Sequence, residues 1–401
     1  MNSTPYIVLR STGERPPNGL QSGQVRDSEP VCQSRHQGLG ARDGQLELSI
    51  LELTERDRRE MRNDPQIMAL AQPMPVRLVS PVAEQRFNSG LLNPVTLTDS
   101  LVRTGQGQCS GAGVKVAFLD TGIDVTHPVF DGVQFEKRNF TRETCNDIDG
   151  HGTHIASVTL GRGYESIPTG VAPGVSDVMS AKVLTGRHGR SSHVADALLW
   201  AIRGGADVIT LSLDLDLGSW ITQLRDRHDL SEEAAMAVGL REHGANLELF
   251  NCIARAAAGR ADNRRAPTFV TASGHQESGD DISLPALAVG EALGALAVGA
   301  LTAEPGGPTL ADYCRYTADV LAPGTALCAA APDSGAALMS GTSVAAAYTA
   351  GVVARWTEYL ATAGVSPSAP ARDAVCDTAY PLHFQSEREA GRVRYGVVRS
   401  P

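Results

Sequence analysis

The chain lacks the long apolar run that a membrane-spanning helix requires. None of the apolar runs in its 401 residues reaches the length of about 18 residues that indicates such a helix, so we expect no membrane partner. The first residues, MNSTPYIVLRSTGERPPNG, also lack a charged start followed by an apolar core, which a secretory signal would show. The sequence therefore predicts a cytoplasmic protein, unless a non-standard route exports it.

The chain has few cysteines, and none of them forms a C-x-x-C pair. The seven cysteines are Cys32, Cys109, Cys145, Cys252, Cys314, Cys328 and Cys376. An odd and scattered set argues against a disulfide framework and a zinc site, and it is typical of a reducing compartment. A surplus of basic residues is absent as well. The net charge is −10, so we expect no nucleic-acid partner.

The sequence has two differently patterned parts. In the first part, the runs 6–9 and 46–53 are typical of strands, and Thr54 with Asp57 forms a capping box before a short helix. From Gly113 onward, short β-rich runs alternate with helical segments, which is typical of βαβ units. We therefore predict an α/β fold with a mostly parallel central sheet and helices on both faces, preceded by a small α+β unit.

Three polar residues stand where a strand ends or a helix begins, which is where ligands bind in such sheets. Asp120 ends the apolar strand VKVAFLD, His151 opens the helix of DGHGTHIASV, and Ser343 opens an Ala-rich helix after SGT. A serine hydroxyl can attack a carbonyl when a histidine takes its proton and a carboxylate orients that histidine. Each residue also has an ordinary structural interpretation, in which Asp120 caps a turn and Ser343 caps a helix.

Two other catalytic chemistries fit parts of these motifs. His151 and His154 are three residues apart on one helix and could pair on a metal, but no acidic or cysteine ligand at helical spacing completes the set. The loops 120–122 and 333–335 match the two D-[ST]-G loops of an aspartic peptidase. Pro332 and the strand–helix alternation argue against that chemistry, which also leaves HGTH and SGTS unexplained.

In chain order, Asp120, His151 and Ser343 follow the subtilisin-type arrangement of a catalytic triad. The motifs DTGID, DGHGTH, GVAPG, VITLSL, APG and SGTS lie within roughly residues 110–360. On these motifs the sequence resembles the subtilisin-like serine peptidases. The resemblance implies catalytic roles for the three residues, a peptide or protein substrate, and no cofactor for catalysis. Calcium often stabilises relatives, but no acidic loop in this sequence identifies a site.

The resemblance also implies that residues 1–80 are a propeptide and that residues 81–401 are the peptidase domain. Such a propeptide is an inhibitory chaperone, so it would be a partner of the enzyme, and its last strand lies in the substrate cleft. Relatives bind an extended peptide between two edges by main-chain hydrogen bonds. The corresponding segments supply the candidate substrate-binding residues Gly189, Ser191, Ser212, Leu213 and Asp214.

Several positions depart from the family pattern. Ala347 and Tyr348 replace a proline and a histidine after the catalytic serine, and Ser157 replaces a glycine after HGTHIA. Asp214 replaces a small residue. It favours a basic substrate side chain if it faces the cleft, and it has no such role if it faces solvent.

The largest departure is His275, which stands where relatives have the asparagine that binds the oxyanion. A neutral imidazole can donate one N–H. Loss of one such donor in subtilisin itself costs roughly 10²–10³ in turnover. His275 is therefore either a member of the oxyanion hole or an ordinary loop residue.

Two functions remain open on these grounds. The first is a serine endopeptidase that acts through an acyl-enzyme, with a narrower form in which it matures one intracellular precursor. The second is a catalytically weakened pseudopeptidase that binds peptides or regulates a partner. The complete triad favours the first function, and the departures at His275, Ala347, Tyr348 and Ser157 motivate the second.

Overall fold

Helices and strands alternate along most of the chain. The computed structural model describes residues 3–12, 46–87, 109–165, 167–259, 265–274, 287–304, 307–314, 316–365, 370–382 and 387–401. The helices are α1 (Glu55–Arg62), α2 (His151–Leu160), α3 (Ser191–Arg203), α4 (Leu217–His228), α5 (Glu232–Ala258), α6 (Ala288–Leu293), α7 (Thr342–Thr362), α8 (Ala371–Asp377) and α9 (Glu387–Ala390). Within these ranges, no helix combines the length and apolar character needed to cross a bilayer.

The strands are short, and most have fewer than seven residues. They are β1 (Thr4–Ser11), β2 (Leu46–Leu53), β3 (Ile67–Ala71), β4 (Pro75–Leu78), β5 (Ala83–Phe87), β6 (Lys115–Asp120), β7 (Gln134–Asn139), β8 (Arg162–Tyr164), β9 (Ile167–Thr169), β10 (Asp177–Lys182), β11 (Leu184–Thr185), β12 (His188–Arg190), β13 (Val208–Leu211), β14 (Leu213–Leu215), β15 (Thr268–Ala272), β16 (Leu296–Glu304), β17 (Gly307–Leu310), β18 (Ala318–Pro323), β19 (Leu327–Ala331), β20 (Gly335–Ser340) and β21 (Val393–Val397).

The central sheet is parallel along its main path, which runs β21-β18-β16-β15-β13-β6-β10-β7. The short strand β17 pairs antiparallel with β16. Strands such as β13 are buried along their whole length, because both faces of a parallel sheet are covered. The predicted α/β fold with a parallel central sheet is confirmed.

Helices cover both faces of this sheet. Residues of β6 alternate between two buried clusters, because successive side chains of a strand point to opposite faces. Val116 and Phe118 join a cluster that includes α2, α7 and α8, whereas Ala117 and Leu119 join one that includes α3 and α5. Helices α2 and α7 therefore lie on the same face, where they pack against each other.

A small antiparallel sheet precedes the parallel sheet, in the order β2-β1-β3. The predicted capping box starts α1: Thr54 Oγ1 accepts from the Asp57 N–H at 3.3 Å, and Asp57 Oδ2 accepts from the Thr54 N–H at 2.9 Å. Ile7 and Leu9 of β1 are fully buried in the same cluster as α3 and α5. The N-terminal unit therefore buries one face of its sheet against the rest of the protein.

The chain that leaves this unit adds a strand to two further sheets. Strand β4 lies between β12 and β14 and pairs antiparallel with both. Strand β5 then pairs antiparallel with β20, from Ala83 opposite Ser340 to Phe87 opposite Ala336. We call residues 75–87 the crossing segment, because they pair first with β12 and β14 and then with β20.

Replacing Leu9 with alanine should destabilise the protein. A large-to-small change in a packed core costs about 2–5 kcal/mol, because the cavity is only partly filled by relaxation. We expect a clear drop in the urea midpoint, followed by tryptophan fluorescence. Ile50→Ala is the matched control, since Ile50 lies on the adjacent strand β2 and is 50% exposed. Equal losses in the two variants would contradict the packing of β1 on α3 and α5.

Candidate active site

Asp120 and His151 form a hydrogen-bonded pair at the carboxyl edge of the central sheet. Asp120 is the last residue of β6, and His151 is the first residue of α2. Nδ1 of His151 lies 2.8 Å from Oδ1 and 3.0 Å from Oδ2 of Asp120. With the carboxylate ionised, Nδ1 donates this bond, so Nε2 of the neutral ring is left without a proton. This is the orientation that a general base needs.

Burial and charge act on His151 in opposite directions. Complete burial lowers the pKa of His151, whereas the charge of Asp120 and the hydrogen bond from Nδ1 raise it. The nearby carboxylates of Asp149 and Asp147 raise it further, and the net result is a pKa above the ordinary histidine value. The carboxylate therefore favours the imidazolium that forms when Nε2 takes up a proton.

A third carboxylate, Asp147, builds the turn that carries His151, and sequence reasoning missed it. Its Oδ1 accepts from the Gly150 N–H at 2.8 Å and from Thr121 Oγ1 at 2.9 Å. Its Oδ2 accepts from the Thr153 N–H at 2.9 Å and from the Thr153 hydroxyl at 2.6 Å. Asp147 thus ties the loop after Asp120 to the first turn of α2. Its position four residues before His151 was the available signal.

Close backbone approach explains the two glycines around His151. A Cβ at Gly152 would lie 2.0 Å from the Gly122 carbonyl oxygen and 3.2 Å from Oδ1 of Asp120. A side chain there would push α2 away from the strand end and lengthen the Asp120–His151 bond. Gly150 has φ 94°, a left-handed conformation that favours glycine. The sharp turn predicted for this motif therefore depends on both residues.

Ser343 lies in the first turn of α7, the helix that packs against α2. Thr159 of α2 connects the two helices by donating its hydroxyl to the Ala347 carbonyl at 2.9 Å. His151 and Ser343 are both 0% exposed. Among the residues that the structure describes, neither Ser343 Oγ nor His151 Nε2 has a hydrogen-bond partner. The structure therefore shows the Asp–His part of the predicted triad bonded, whereas no bond joins the serine to it.

His154, the second histidine of the motif, anchors α2 to strand β19. Its Nε2 donates to the Leu327 carbonyl oxygen at 3.1 Å. Burial, together with the neighbouring His151, lowers the pKa of His154 to about 3, so the ring is neutral. A group of three His, Cys, Asp or Glu side chains arranged to hold a metal is not found in the described ranges.

Two of the unusual positions take part in packing around α2 and α7. Ser157 Oγ accepts from the Ala330 N–H at 3.1 Å, so the hydroxyl that replaces a glycine binds strand β19. The Tyr348 side chain is buried, and burial raises the pKa of its phenol. The Tyr348 hydroxyl has no hydrogen-bond partner in the part of the chain that is described.

The second D-[ST]-G loop is a hairpin turn. Asp333 and Ser334 connect β19 to β20 with φ values of 61° and 59°. Asp333 is exposed, and its backbone N–H donates to Asp124 Oδ2 at 3.1 Å. His275 lies outside the described residues, so its place in the oxyanion hole stays a prediction.

One predicted substrate edge contacts the crossing segment through Gly189, and it contacts the residue before that segment through Ser191. Gly189 pairs with Val76, and a Cβ at Gly189 would lie 2.6 Å from the Val183 carbonyl oxygen and 3.1 Å from Val76 Cγ2. Ser191 Oγ accepts from the Met74 N–H at 2.9 Å, and its own N–H donates to the Met74 carbonyl at 2.8 Å. Only glycine fits this close approach at position 189.

The other predicted edge contacts the same segment from the opposite side. The Ser212 carbonyl accepts from the Val79 N–H at 2.8 Å, and Leu213 pairs with Leu78. Three residues before Ser343, the Ser340 carbonyl accepts from the Val82 N–H at 2.8 Å. The protein's own chain therefore lies between the two edges, in the place predicted for an extended peptide.

Asp214 is half-buried. It pairs with Arg77, so its side chain lies on the strand face that also carries the side chains of Arg77 and Val79. Burial raises the pKa of Asp214 to about 6, against the opposing effects of the backbone N–H groups of Leu215 and Val289. Its Oδ1 is buried and has no hydrogen-bond partner among the described residues.

Replacing Asp120 with asparagine should lower the pKa of His151. The substitution removes the largest of the charges that raise this pKa and leaves the larger opposing effect of burial, with only Asp149 and Asp147 still raising it, so we expect a value below the ordinary value of about 6.5. Titration of the imidazole nitrogens by NMR measures it. Asp124→Asn is the control, since Asp124 accepts from Thr126 instead. An unchanged His151 pKa in Asp120→Asn would contradict the assigned electrostatics.

The comparison with known proteins agrees with this geometry. The family model described as the subtilase family matches residues 111–396. The chain is 27% identical over 246 residues to the thermophilic serine proteinase of Bacillus sp. (strain AK1), covering 61% of this chain and 52% of that protein. It is 27% identical over 279 residues to subtilisin-like protease 9 of Arthroderma benhamiae (strain ATCC MYA-4681 / CBS 112371), covering 69% and 58%.

A relative that matches over a shorter stretch and a solved structure are also similar to this chain. The chain is 32% identical over 111 residues to the major intracellular serine protease of Bacillus subtilis (strain 168), covering 26% of this chain and 34% of that protein. The crystal structure of fervidolysin from Fervidobacterium pennivorans has the same fold, with a TM-score of 0.57, 18% identity, and coverage of 86% and 53%. The chain spans about half the length of the first of these relatives. Because the family model matches most of its residues, the chain belongs to the subtilase family.

Proposed function

We propose that the protein is a serine endopeptidase that hydrolyses peptide bonds through an acyl-enzyme. The observation that carries this proposal is the buried Asp120–His151 hydrogen bond, with Ser343 on the adjacent helix α7. Family membership supports the same chemistry. The proposed reaction uses side chains and backbone groups alone, so it needs no cofactor.

In the proposed reaction, each side chain of the triad has a defined role. Ser343 Oγ attacks the substrate carbonyl carbon while His151 Nε2 takes its proton, and Asp120 stabilises the resulting imidazolium. His151 then gives this proton to the leaving amine, which leaves the acyl group on Ser343. A water molecule attacks the acyl carbon in the second half, again with His151 as the base.

The oxyanion is held at the N-terminus of α7. The first backbone N–H groups of a helix have no intrahelical partner and carry partial positive charge. The Ser343 N–H is one of them, and it is the proposed donor to the oxyanion. His275 is the proposed second donor, on the basis of its alignment with the family asparagine.

We also propose that residues 1–80 act as an inhibitory propeptide of the peptidase region 81–401. The pairing of β4 with β12 and β14 supports this, because it is the place that an extended substrate would take. The full burial of His151 and Ser343 supports it too, since a substrate cannot reach buried groups. Backbone hydrogen bonds to Ser212 and Ser340 hold Val79 and Val82 on either side of residues 80–81. We place the cut in the peptide bond between residues 80 and 81.

The proposed setting is cytoplasmic, with one intracellular precursor as the substrate to be matured. Among the described residues, Cys109, Cys252, Cys314 and Cys376 are free cysteines. Two similar proteins, from Paenibacillus polymyxa and Bacillus subtilis, are named as intracellular serine proteases. These two observations support the location, and the location in turn supports an intracellular precursor.

A catalytically weakened peptide-binding protein is the second candidate. One observation favours it: Ser343 Oγ and His151 Nε2 are unpaired in the described structure while the chain's own segment fills the cleft. Catalytic hydrogen bonds often tighten only when substrate is bound, which is why we place this candidate second.

Replacing Ser343 with alanine separates the two candidates. For a peptidase, we expect intact-mass analysis to show wild-type chain cut between Val79 and Val82 and the variant chain uncut. A fluorophosphonate probe should label the cut wild type at Ser343. Ser219→Ala is the matched control, since Ser219 is exposed at the start of α4. An uncut, unlabelled wild type, or identical fragments from Ser343→Ala, would leave only the peptide-binding function.

Asp214 should favour a basic substrate side chain at the place of Arg77, the residue with which it pairs. The Asp214 carboxyl is ionised above pH about 6, so the preference for lysine over leucine should rise from pH 5 to pH 8 by about tenfold and vanish in Asp214→Asn. The ratio of kcat/KM values for two peptides measures this, because the protonation of His151 cancels in the ratio. Asp226→Asn, at an exposed position of α4, is the control. A ratio that is independent of pH would assign Asp214 a structural role.

A further inference from the structure

The cleft continues beyond the proposed cut along strand β20. This strand pairs with β19 on one side and with β5 on the other. The β5–β20 pairing extends over five residue pairs and begins at Ser340, three residues before Ser343. An edge strand of this kind presents a row of N–H and C=O groups to which any extended chain can pair. The crossing segment therefore occupies a binding edge on the leaving-group side.

Charged side chains of the peptidase region bind the same stretch. Arg187 Nη2 lies 3.1 Å from Glu84 Oε2, and Arg187 Nε lies 3.1 Å from Asp149 Oδ2. Arg86 of β5 pairs with Glu84 at 2.7 Å and donates to the Asp149 carbonyl. Glu84 and Arg86 are two residues apart, so they lie on the same face of β5.

Two features place this charge network beside the candidate active site. Asp149 stands two residues before His151, and the Arg187 carbonyl accepts from the Leu78 N–H at 2.9 Å. The side chains are partly buried, with 38% exposure for Arg187, 21% for Glu84 and 14% for Asp149. Exposed single pairs contribute little to binding, but a partly desolvated network of several charges contributes more.

We propose that Arg187 and Asp149 make the edge of β20 a selective binding edge, which takes the chain on the carboxyl side of the cut bond. It prefers an acidic residue at the place of Glu84. The resident ligand is the protein's own strand β5, which a substrate must displace. This rests on the proposed peptidase function, since the leaving-group side is defined by the cut.

The covalent connection gives the resident strand an advantage over a free peptide. A cut at residues 80–81 leaves β5 attached to the peptidase region through residues 88–108. A covalently connected ligand binds intramolecularly, so its effective concentration exceeds that of a free peptide in dilute solution. We therefore infer that β5 still occupies this edge after the cut and that long substrates compete with it better than short ones.

Cleavage of three peptides tests the site. The first copies residues 74–87, the second ends at residue 82, and the third has lysine at the place of Glu84. We expect the first to be cut about tenfold faster, in kcat/KM, than the other two. Arg187→Glu should invert the preference between glutamate and lysine, which loss of folding cannot do. Arg227→Glu, at an exposed position of α4, should leave the ratios unchanged. Equal rates for all three peptides would overturn the proposal.

Hydrogen exchange tests the site without any activity. In the full chain carrying Ser343→Ala, we expect Arg187→Glu to increase amide exchange in residues 83–87 and 335–340. Adding Glu84→Arg to that variant should restore part of the protection, because positions 84 and 187 are again complementary, whereas the contacts with Arg86 and Asp149 stay lost. Unchanged exchange, or no restoration, would overturn the proposal. If no peptide is cut by any variant, the peptidase function fails, and exchange still decides whether this site exists.

Discussion

The Asp120–His151 hydrogen bond sets the distance between the end of β6 and the start of α2, and other features of the site follow from it. The approach is so close that only glycine fits after His151. The turn before His151 must present N–H and hydroxyl donors, and Asp147 accepts four hydrogen bonds from them. The parallel sheet holds Asp120 in position, because Asp120 ends a strand that is buried on both faces.

A second constraint on the structure is that the backbone N–H and C=O groups at the edges of its sheets need hydrogen-bond partners. Strands β12, β14 and β20 all have an edge towards the crossing segment, and the segment satisfies all three. Unpaired backbone groups at such edges attract other chains. The protein completes its own sheets with this segment, which pairs with Ser340, three residues before Ser343. Under the propeptide function that we propose, binding and inhibition are two consequences of the same main-chain hydrogen bonds.

Much of the fold could be predicted from local patterns. Alternation of short β-rich runs with helical segments predicted the parallel sheet, and the Thr54–Asp57 capping box was found as expected. The motif around His151 predicted a glycine-flanked helix start. The role of Asp147 was not predicted, because it depends on donors at Thr121, Gly150 and Thr153 that meet only after the chain has turned.

The sequence by itself determined the chemistry that is present: a carboxylate at a strand end, a histidine and a serine at two helix starts, and a chain that alternates between strands and helices. These features are local, because they depend on periodicity and on glycine positions. Only the tertiary structure decided that Asp214 is half-buried opposite Arg77 and that β5 pairs with β20. It also decided that Arg187 joins Glu84 to Asp149. Such contacts join residues far apart in the chain, and the packing of the crossing segment, which no local pattern encodes, brings them together.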